Sequence, residues 1–418
     1  MFQFLQKKKK VVYMDFASKT PLRDDIRKHI DSLEKSLIGN AGAIHSLGVE
    51  AKRYLTKARE DVANILGTHT DEIIFTRGGT ESDNMAILGA VFGFRNNSED
   101  KSKIPHIIIG ALEHPAIVES AKYLEKNNYA TVSILPVNQD GIVDIEVLSK
   151  LLTPQTILVS VQYVNGEIGS IQPMNEIVQI VRRYKKKIHG DRFSSYPLVH
   201  TDTAQAVGAG LPLNIALLGV DLLSINGSKI YGPTSTGLLY KKRGTPIEPV
   251  LFGGDQENGF RPGTAPVPLI VGLAEALVSM LTDTVEVVRL HEIREYFISQ
   301  FLKLIRALSL SDRVAISGGA TNTKVAPHIV HIVVRGIESD HLVLSLDSYG
   351  VYVSSQTTCK SGKSHGEAIR NLFNLKETDG TLRFSFGKST TKRDVDHAIE
   401  SLGKSFQKIC ELEKLLTA

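Results

Sequence analysis

The sequence predicts an α/β fold: a large unit with a mainly parallel seven-stranded sheet, followed by a small α+β unit. Three observations carry that prediction. Between Asp71 and Asp202, short apolar runs alternate with longer amphipathic stretches, the pattern of strands joined by crossover helices. Two further apolar runs, 220–223 and 236–240, flank a turn of small residues and bring the number of strands to seven. The residues just after each run are polar and chemically capable, and ligands of such sheets collect beyond the carboxyl ends of the strands.

Taken in order, the predicted strands are 72–76, 106–110, 131–135, 157–162 and 198–201, with helices over 81–92, 116–126 and 174–187 between them. After the first strand come Arg77-Gly78-Gly79-Thr80-Glu81-Ser82-Asp83-Asn84. Glycines and a hydroxyl at a helix start offer backbone N–H groups and the helix dipole to an anion, although Thr80 with Asp83 also reads as a plain N-cap pair. Glu113-His114-Pro115 puts a histidine at the mouth of the next helix, a position that capping alone explains. Tyr163 to Gly169 form a polar loop containing Asn165. The charged stretch 185–196 is expected to be a surface loop. His200-Thr201-Asp202-Thr203-Ala204-Gln205 ends the fifth strand. A buried aspartate there needs a cation or several donors.

Lys229 stands in the turn Ser224-Ile225-Asn226-Gly227-Ser228-Lys229-Ile230-Tyr231-Gly232, between the last two strands. Most lysines in turns are solvated charges. A buried one, with its pKa lowered, becomes a nucleophile that forms a Schiff base with a carbonyl or with pyridoxal phosphate. The strand ends thus carry an anion cradle, a histidine, an amide, a carboxylate with an amide, and a lysine. That set meets the needs of pyridoxal 5'-phosphate: a doubly charged phosphate for the helix start, a pyridine nitrogen that a carboxylate keeps protonated, and an aldehyde for the lysine.

The 418 residues are enough for more than one domain, and 42% hydrophobic with 22% charged is ordinary for a soluble globular chain. The expected division is an N-terminal segment 1–20, a large domain 21–264, and 265–418 as linking helix and small C-terminal domain. A net charge of +4 gives no argument for nucleic acid. No apolar core follows the Lys7–Lys10 run and no stretch reaches a membrane span, so a cytoplasmic protein with no membrane partner is expected. Two cysteines are too few for a disulfide framework, and no histidine spacing suggests a metal.

In combination these motifs resemble the cysteine desulfurases of the class V aminotransferase family, fold-type I pyridoxal-phosphate enzymes. The likeness runs from Val12-Tyr13-Met14-Asp15-Phe16 to about Glu411. It is carried by Gly79–Asn84, Glu113-His114, Asn165-Gly166-Glu167-Ile168-Gly169, Asp202 with Gln205, Lys229-Ile230-Tyr231-Gly232, Arg261-Pro262-Gly263-Thr264, Cys359 and Arg383-Phe384-Ser385. The resemblance implies that Lys229 holds the cofactor, Asp202 pairs with the pyridinium and Gln205 bonds the ring hydroxyl. It further implies that His114 stacks on the ring and assists proton transfer, that Gly79, Thr80 and Ser228 bind phosphate, and that Asn226 is also at the cofactor. Thr264 would come from the partner subunit of a homodimer, with Arg383 and Asn165 at the substrate, L-cysteine. Gly166, Asn226, Ser228 and Gln356-Thr357-Thr358 depart from the residues the family usually carries there.

Cys359 lies in a polar loop from Ser354 to Gly366, where Lys360, Lys363 and His365 favour the thiolate; Cys410 reads as helix packing. By the resemblance, Cys359 takes sulfur from L-cysteine as a persulfide, releasing L-alanine and passing sulfur to an acceptor protein of iron–sulfur or thiolation pathways. The sequence past the last helix is short, so no long tail for docking an iron–sulfur scaffold is expected. Gly362-Lys363-Ser364 and Gly387-Lys388-Ser389 lack the upstream glycine of a nucleotide-binding loop. Two alternatives stay open: another lyase of the same cofactor, such as a selenocysteine lyase, and a non-catalytic relative serving as a binding subunit.

Overall fold

The protein is described by a computed structural model covering residues 10–100, 102–190, 194–317, 325–355 and 363–417. After a short β1 (Val12–Tyr13), the strands β2 (Ile73–Thr76), β3 (His106–Gly110), β4 (Thr131–Leu135), β5 (Thr156–Ser160), β6 (Leu198–Asp202), β7 (Leu222–Asn226) and β8 (Gly237–Lys241) follow in chain order. The last seven form one sheet in the order β2-β8-β7-β6-β5-β3-β4. It is parallel from β7 to β4, while β8 runs antiparallel to both neighbours.

Alternation along the strands explains why the sheet is covered twice. Ile73 and Phe75 point into one apolar cluster and Ile74 into another; Ile108 joins the first, Ile107 and Ile109 the second. Each buried aliphatic side chain contributes about 2 kcal/mol, so both faces need a helical layer. Helices Asp24–Ser36, Ser46–Leu66 and Val267–Thr282 pack on one another on the first face. Helices Gly79–Asn97 and Pro115–Lys126 supply Met85, Ala86, Ile117 and Ala121 to the second.

A separate core lies toward the C-terminus. There β9 (Val314–Ser317), β10 (Ile329–Val334) and β12 (Gly380–Ser385) form an antiparallel sheet, while β1 pairs in parallel with β11 (Val351–Tyr352). Helices Thr284–Ala307 and Lys392–Thr417 cover it through Phe297, Phe301 and Phe406, which meet Phe384 and Phe386. No single helix among the described residues is long and apolar enough to cross a membrane. Past β1 the chain bridges Asp15 to Ser385, which lays residues 15–18 between the two cores.

Two expectations change. The stretch 185–196 begins as helix, because Met174–His189 keeps its apolar spacing through Tyr184 and Ile188. Within 265–308, Asp283 separates two helices and caps the second by accepting from Glu286 N at 3.1 Å. The edge strand β9 has no counterpart among the expected elements.

Candidate active site

The carboxyl ends of the parallel strands open into a cavity of about 670 Å³. Gly79, Thr80, His114, Asp202, Gln205, Asn226, Lys229 and Arg383 all line it, with Asp83, Glu167, Ala17, Ser18, Ser354 and Ser355. Residues spread over three hundred positions thus meet at one place.

The helix after β2 begins at Gly79 with Gly78 as N-cap, and no side chain caps it. The Thr80–Asp83 cap pair therefore does not form: Thr80 faces the cavity from inside the first turn and Asp83 is buried. An uncapped glycine start leaves its N–H groups and dipole to an anion. A Cβ at position 79 would come within 3.3 Å of Asn226 Cβ and Nδ2, so glycine lets the backbone approach the turn before the lysine. His114 is both cap and lining residue. Its Nδ1 accepts from Ala116 N at 3.1 Å, and burial holds its pKa below the usual histidine value.

Lys229 closes the one-turn helix Gly227–Lys229 after β7. Gly227 is required there, since a Cβ would lie 2.9 Å from Pro233 O. The Lys229 ammonium donates to Ser18 O. Burial, with the Arg383 charge beside it, lowers its pKa to about 8. Facing it, Asp202 ends β6 and accepts from Ala204 N at 2.8 Å. Burial raises its pKa, against the pull of His114 and Lys229. Behind it, burial and the neighbouring Asp202 push Asp83 well above the usual carboxylate range, and burial does the same to Glu113. His200, 3.8 Å from Asp83 Oδ1, is lowered by burial to about 3 and is neutral. Of the buried carboxylates Asp83, Glu113 and Asp202, it is Asp202 that His114 and Lys229 draw back toward the ionised form.

Arg383 enters from β12. Its Nη1 donates to Gly166 O and pairs with Glu167 Oε1, both at 2.9 Å, while Nη2 pairs with Asp15 Oδ1 at 2.9 Å and donates to Ser18 Oγ. Both ends of this buried fork are engaged, so a planar anion would take it by displacing one of the two carboxylates.

The remaining expected residues lie elsewhere. Asn165 is fully buried, and its amide is spent on backbone: Nδ2 donates to Leu112 O, after β3, at 3.1 Å, and Oδ1 accepts from Glu167 N at 2.9 Å and Ile168 N at 2.8 Å on its own loop. It shapes the loop and is not among the residues lining the cavity. Ser228 turns back on Asn226 Oδ1, donating through N at 3.1 Å and Oγ at 3.0 Å, and does not line the cavity. Thr264 is exposed and outside its own chain's cavity. Cys359 lies outside the described residues, as does the side chain of Cys410. Sequence reasoning gave Asp15, Ser18, Asp83 and Glu167 no place at the cavity. Three of them stand inside the quoted motifs and Ser18 just after one, but only the packing turns them inward.

The profile of the class V aminotransferases matches residues 12–398. The chain belongs to that family. Among curated proteins it is 37% identical to the cysteine desulfurase IscS of Dictyoglomus turgidum, over 96% of each chain. It is 34% identical to that of Methanosarcina thermophila, over 97% of this chain and 94% of the other. A solved NifS-like protein superposes with a TM-score of 0.81 at 29% identity, over 95% of this chain and 99% of the other. The class V aminotransferase fold explains why the lysine, the aspartate and the glycine helix start converge although the chain separates them widely.

Proposed function

We propose that this class V aminotransferase is a pyridoxal-phosphate-dependent cysteine desulfurase that moves sulfur from L-cysteine onto Cys359. The observation carrying the proposal is the joint exposure of Lys229, Asp202 and the uncapped Gly79–Thr80 helix start to one cavity of about 670 Å³. The residues fit the cofactor: an anion seat for the phosphate, a buried carboxylate for the pyridinium, and an amine depressed to about 8 for the carbonyl. Gly79, Thr80 and Asn226 would hold the phosphate, Asp202 and Gln205 the ring, His114 its face, and Lys229 the aldehyde carbon. Bound there, pyridoxal phosphate supplies the carbonyl that holds the amino acid and the electron sink that acidifies its Cα proton.

The chain's own groups do the rest. Arg383 takes the substrate carboxylate. Lys229 Nζ, neutral in a useful fraction near pH 7 because of its lowered pKa, takes the Cα proton. The Cys359 thiolate attacks the substrate sulfur, forming an S–S bond as the C–S bond breaks. That electron pair goes to the substrate's β-carbon, which takes a proton; Lys229 returns a proton to Cα, and alanine leaves. A second copy completing the site through Thr264 is part of the reading. Exposure of Thr264, and of Leu251 at 42% and Phe252 at 88% on the same connection, supports a homodimer. A reducing cytoplasm and a protein acceptor for the persulfide go with it.

The test uses Lys229→Ala and Cys359→Ser. Lys229→Ala should lose both the visible absorbance of the bound cofactor and all turnover. Cys359→Ser should bind cofactor and cysteine with their spectral changes intact, yet give no persulfide and almost no alanine. Sulfide release by Cys359→Ser at the wild-type rate would refute the desulfurase mechanism in favour of direct elimination.

A further inference from the structure

Gln205 is held from two sides. Its Nε2 donates to Ala17 O at 2.8 Å, and its Oε1 lies 3.1 Å from His328 Nε2. The first contact decides the amide's orientation, because a backbone carbonyl only accepts and the group facing it must be the nitrogen. The amide oxygen then faces His328, whose Nε2 must be the donor. The rest of the histidine agrees with that tautomer: among the described residues the buried Nδ1 has no hydrogen-bond partner, as befits a bare acceptor. His328 is 5% exposed on β10's approach, and Gly208 leaves its ring room, since a Cβ at 208 would stand 3.4 Å from Nε2. With burial and the Arg383 charge pushing its pKa down to about 3, the ring has no second proton to offer.

One N–H of Gln205 is left over, and Gln205 lines the cavity. The substituents of pyridoxal phosphate say what it meets. The ring nitrogen and the aldehyde carbon lie para to each other and define an axis from Asp202 to Lys229. The phosphate arm and the ring oxygen stand on opposite sides of that axis. The phosphate side is the helix start at Gly79, packed against Asn226, whereas Gln205 is packed against Ala17, Gly166 and His328. Position 166 is glycine, so no side chain there offers the ring oxygen a donor.

We propose that His328 is a positioning residue that locks the amide of Gln205 with its nitrogen toward the cofactor's ring oxygen. Without His328 the amide keeps the Ala17 carbonyl but loses its second anchor, and its spare N–H is no longer fixed on the ring oxygen. The proposal rests on reading this cavity as the pyridoxal phosphate site, and the test separates the two.

The readouts are pyridoxal phosphate affinity and the pH at which the bound cofactor's visible band changes, in the intact loaded protein. Replacing the donor, His328→Leu should move that midpoint upward by about one pH unit, the tenfold carried by one hydrogen bond of ordinary net strength. Gln205→Ala should move it by a similar amount, and the double variant no further. His328→Gln, which returns an N–H near the place of Nε2, should restore the wild-type midpoint; a loss of packing alone would not be rescued in this way. An unmoved midpoint in His328→Leu beside a moved one in Gln205→Ala overturns the proposal, and so does an unmoved midpoint in Gln205→Ala. Should His328→Leu not fold, nitrogen-15 spectra of histidine-labelled wild type decide the matter: an Nε2–H tautomer at His328 supports the lock and an Nδ1–H tautomer refutes it. Failure of the wild type to bind pyridoxal phosphate through Lys229 would instead sink the underlying reading.

Discussion

Replacing Lys229 by methionine should stabilise the cofactor-free protein, although it destroys the proposed activity. Burial and the Arg383 charge lower the lysine from 10.5 to about 8, so in the folded chain the ammonium is disfavoured relative to the unfolded one. Each unit is worth about 1.4 kcal/mol, so the folded state carries a penalty of roughly 3 kcal/mol below pH 8. The sign follows from proton counting. Between pH 8 and 10.5 the unfolded chain binds the proton and the folded chain does not, so wild-type stability rises with pH across that window. At pH 9.5 about 1.5 kcal/mol of penalty remains. Methionine has nearly the same reach and no charge, and it gives up the Ser18 carbonyl contact, worth about 1 kcal/mol. Urea unfolding of both cofactor-free proteins should therefore show Lys229→Met ahead by about 2 kcal/mol at pH 7, with the gap closing by pH 9.5. A variant equal to or less stable than wild type at pH 7, or a gap independent of pH, would refute the claim that the site holds its lysine at a cost.

Asp202→Ala should lower turnover far more than cofactor affinity, because it removes the group that keeps the ring nitrogen protonated; turnover intact at saturating cofactor would contradict that role. Arg383→Lys loses the fork and should raise KM for cysteine at least about tenfold, one charge-assisted hydrogen bond being worth roughly 1.5–3 kcal/mol. An unchanged KM would move the carboxylate site elsewhere. Asn165→Ala strips three buried loop contacts and should cost roughly 2–4 kcal/mol of stability in urea unfolding. A raised KM with unchanged stability would return Asn165 to the substrate.

The sequence by itself determined the sheet and the main line of chemistry. Strand and helix periodicity is a local property, readable wherever apolar residues recur every second or every third to fourth position. The strand-end rule then names His114, Asp202 and Lys229, because in a parallel sheet the chain order places the carboxyl ends on one side. The family motifs supply Arg383 and Gln205, which no periodicity marks.

Tertiary structure alone decided which of these residues face the cavity and in what state. Asn165 and Ser228 sit in motifs yet spend their polar groups away from the cavity, Asn165 on the backbone of Leu112 and Ile168 and Ser228 on the side chain of Asn226. Asp15 and Glu167 reach Arg383 across 368 and 216 residues (383 − 15 and 383 − 167), and no short-range pattern encodes such a meeting. The lysine's lowered pKa, the raised pKa of Asp83 behind Asp202 and the lowered one of His328 arise from burial and from charges brought in by distant strands. Burial belongs to the folded chain as a whole, and that is why the sequence names the groups while the packing sets their charge.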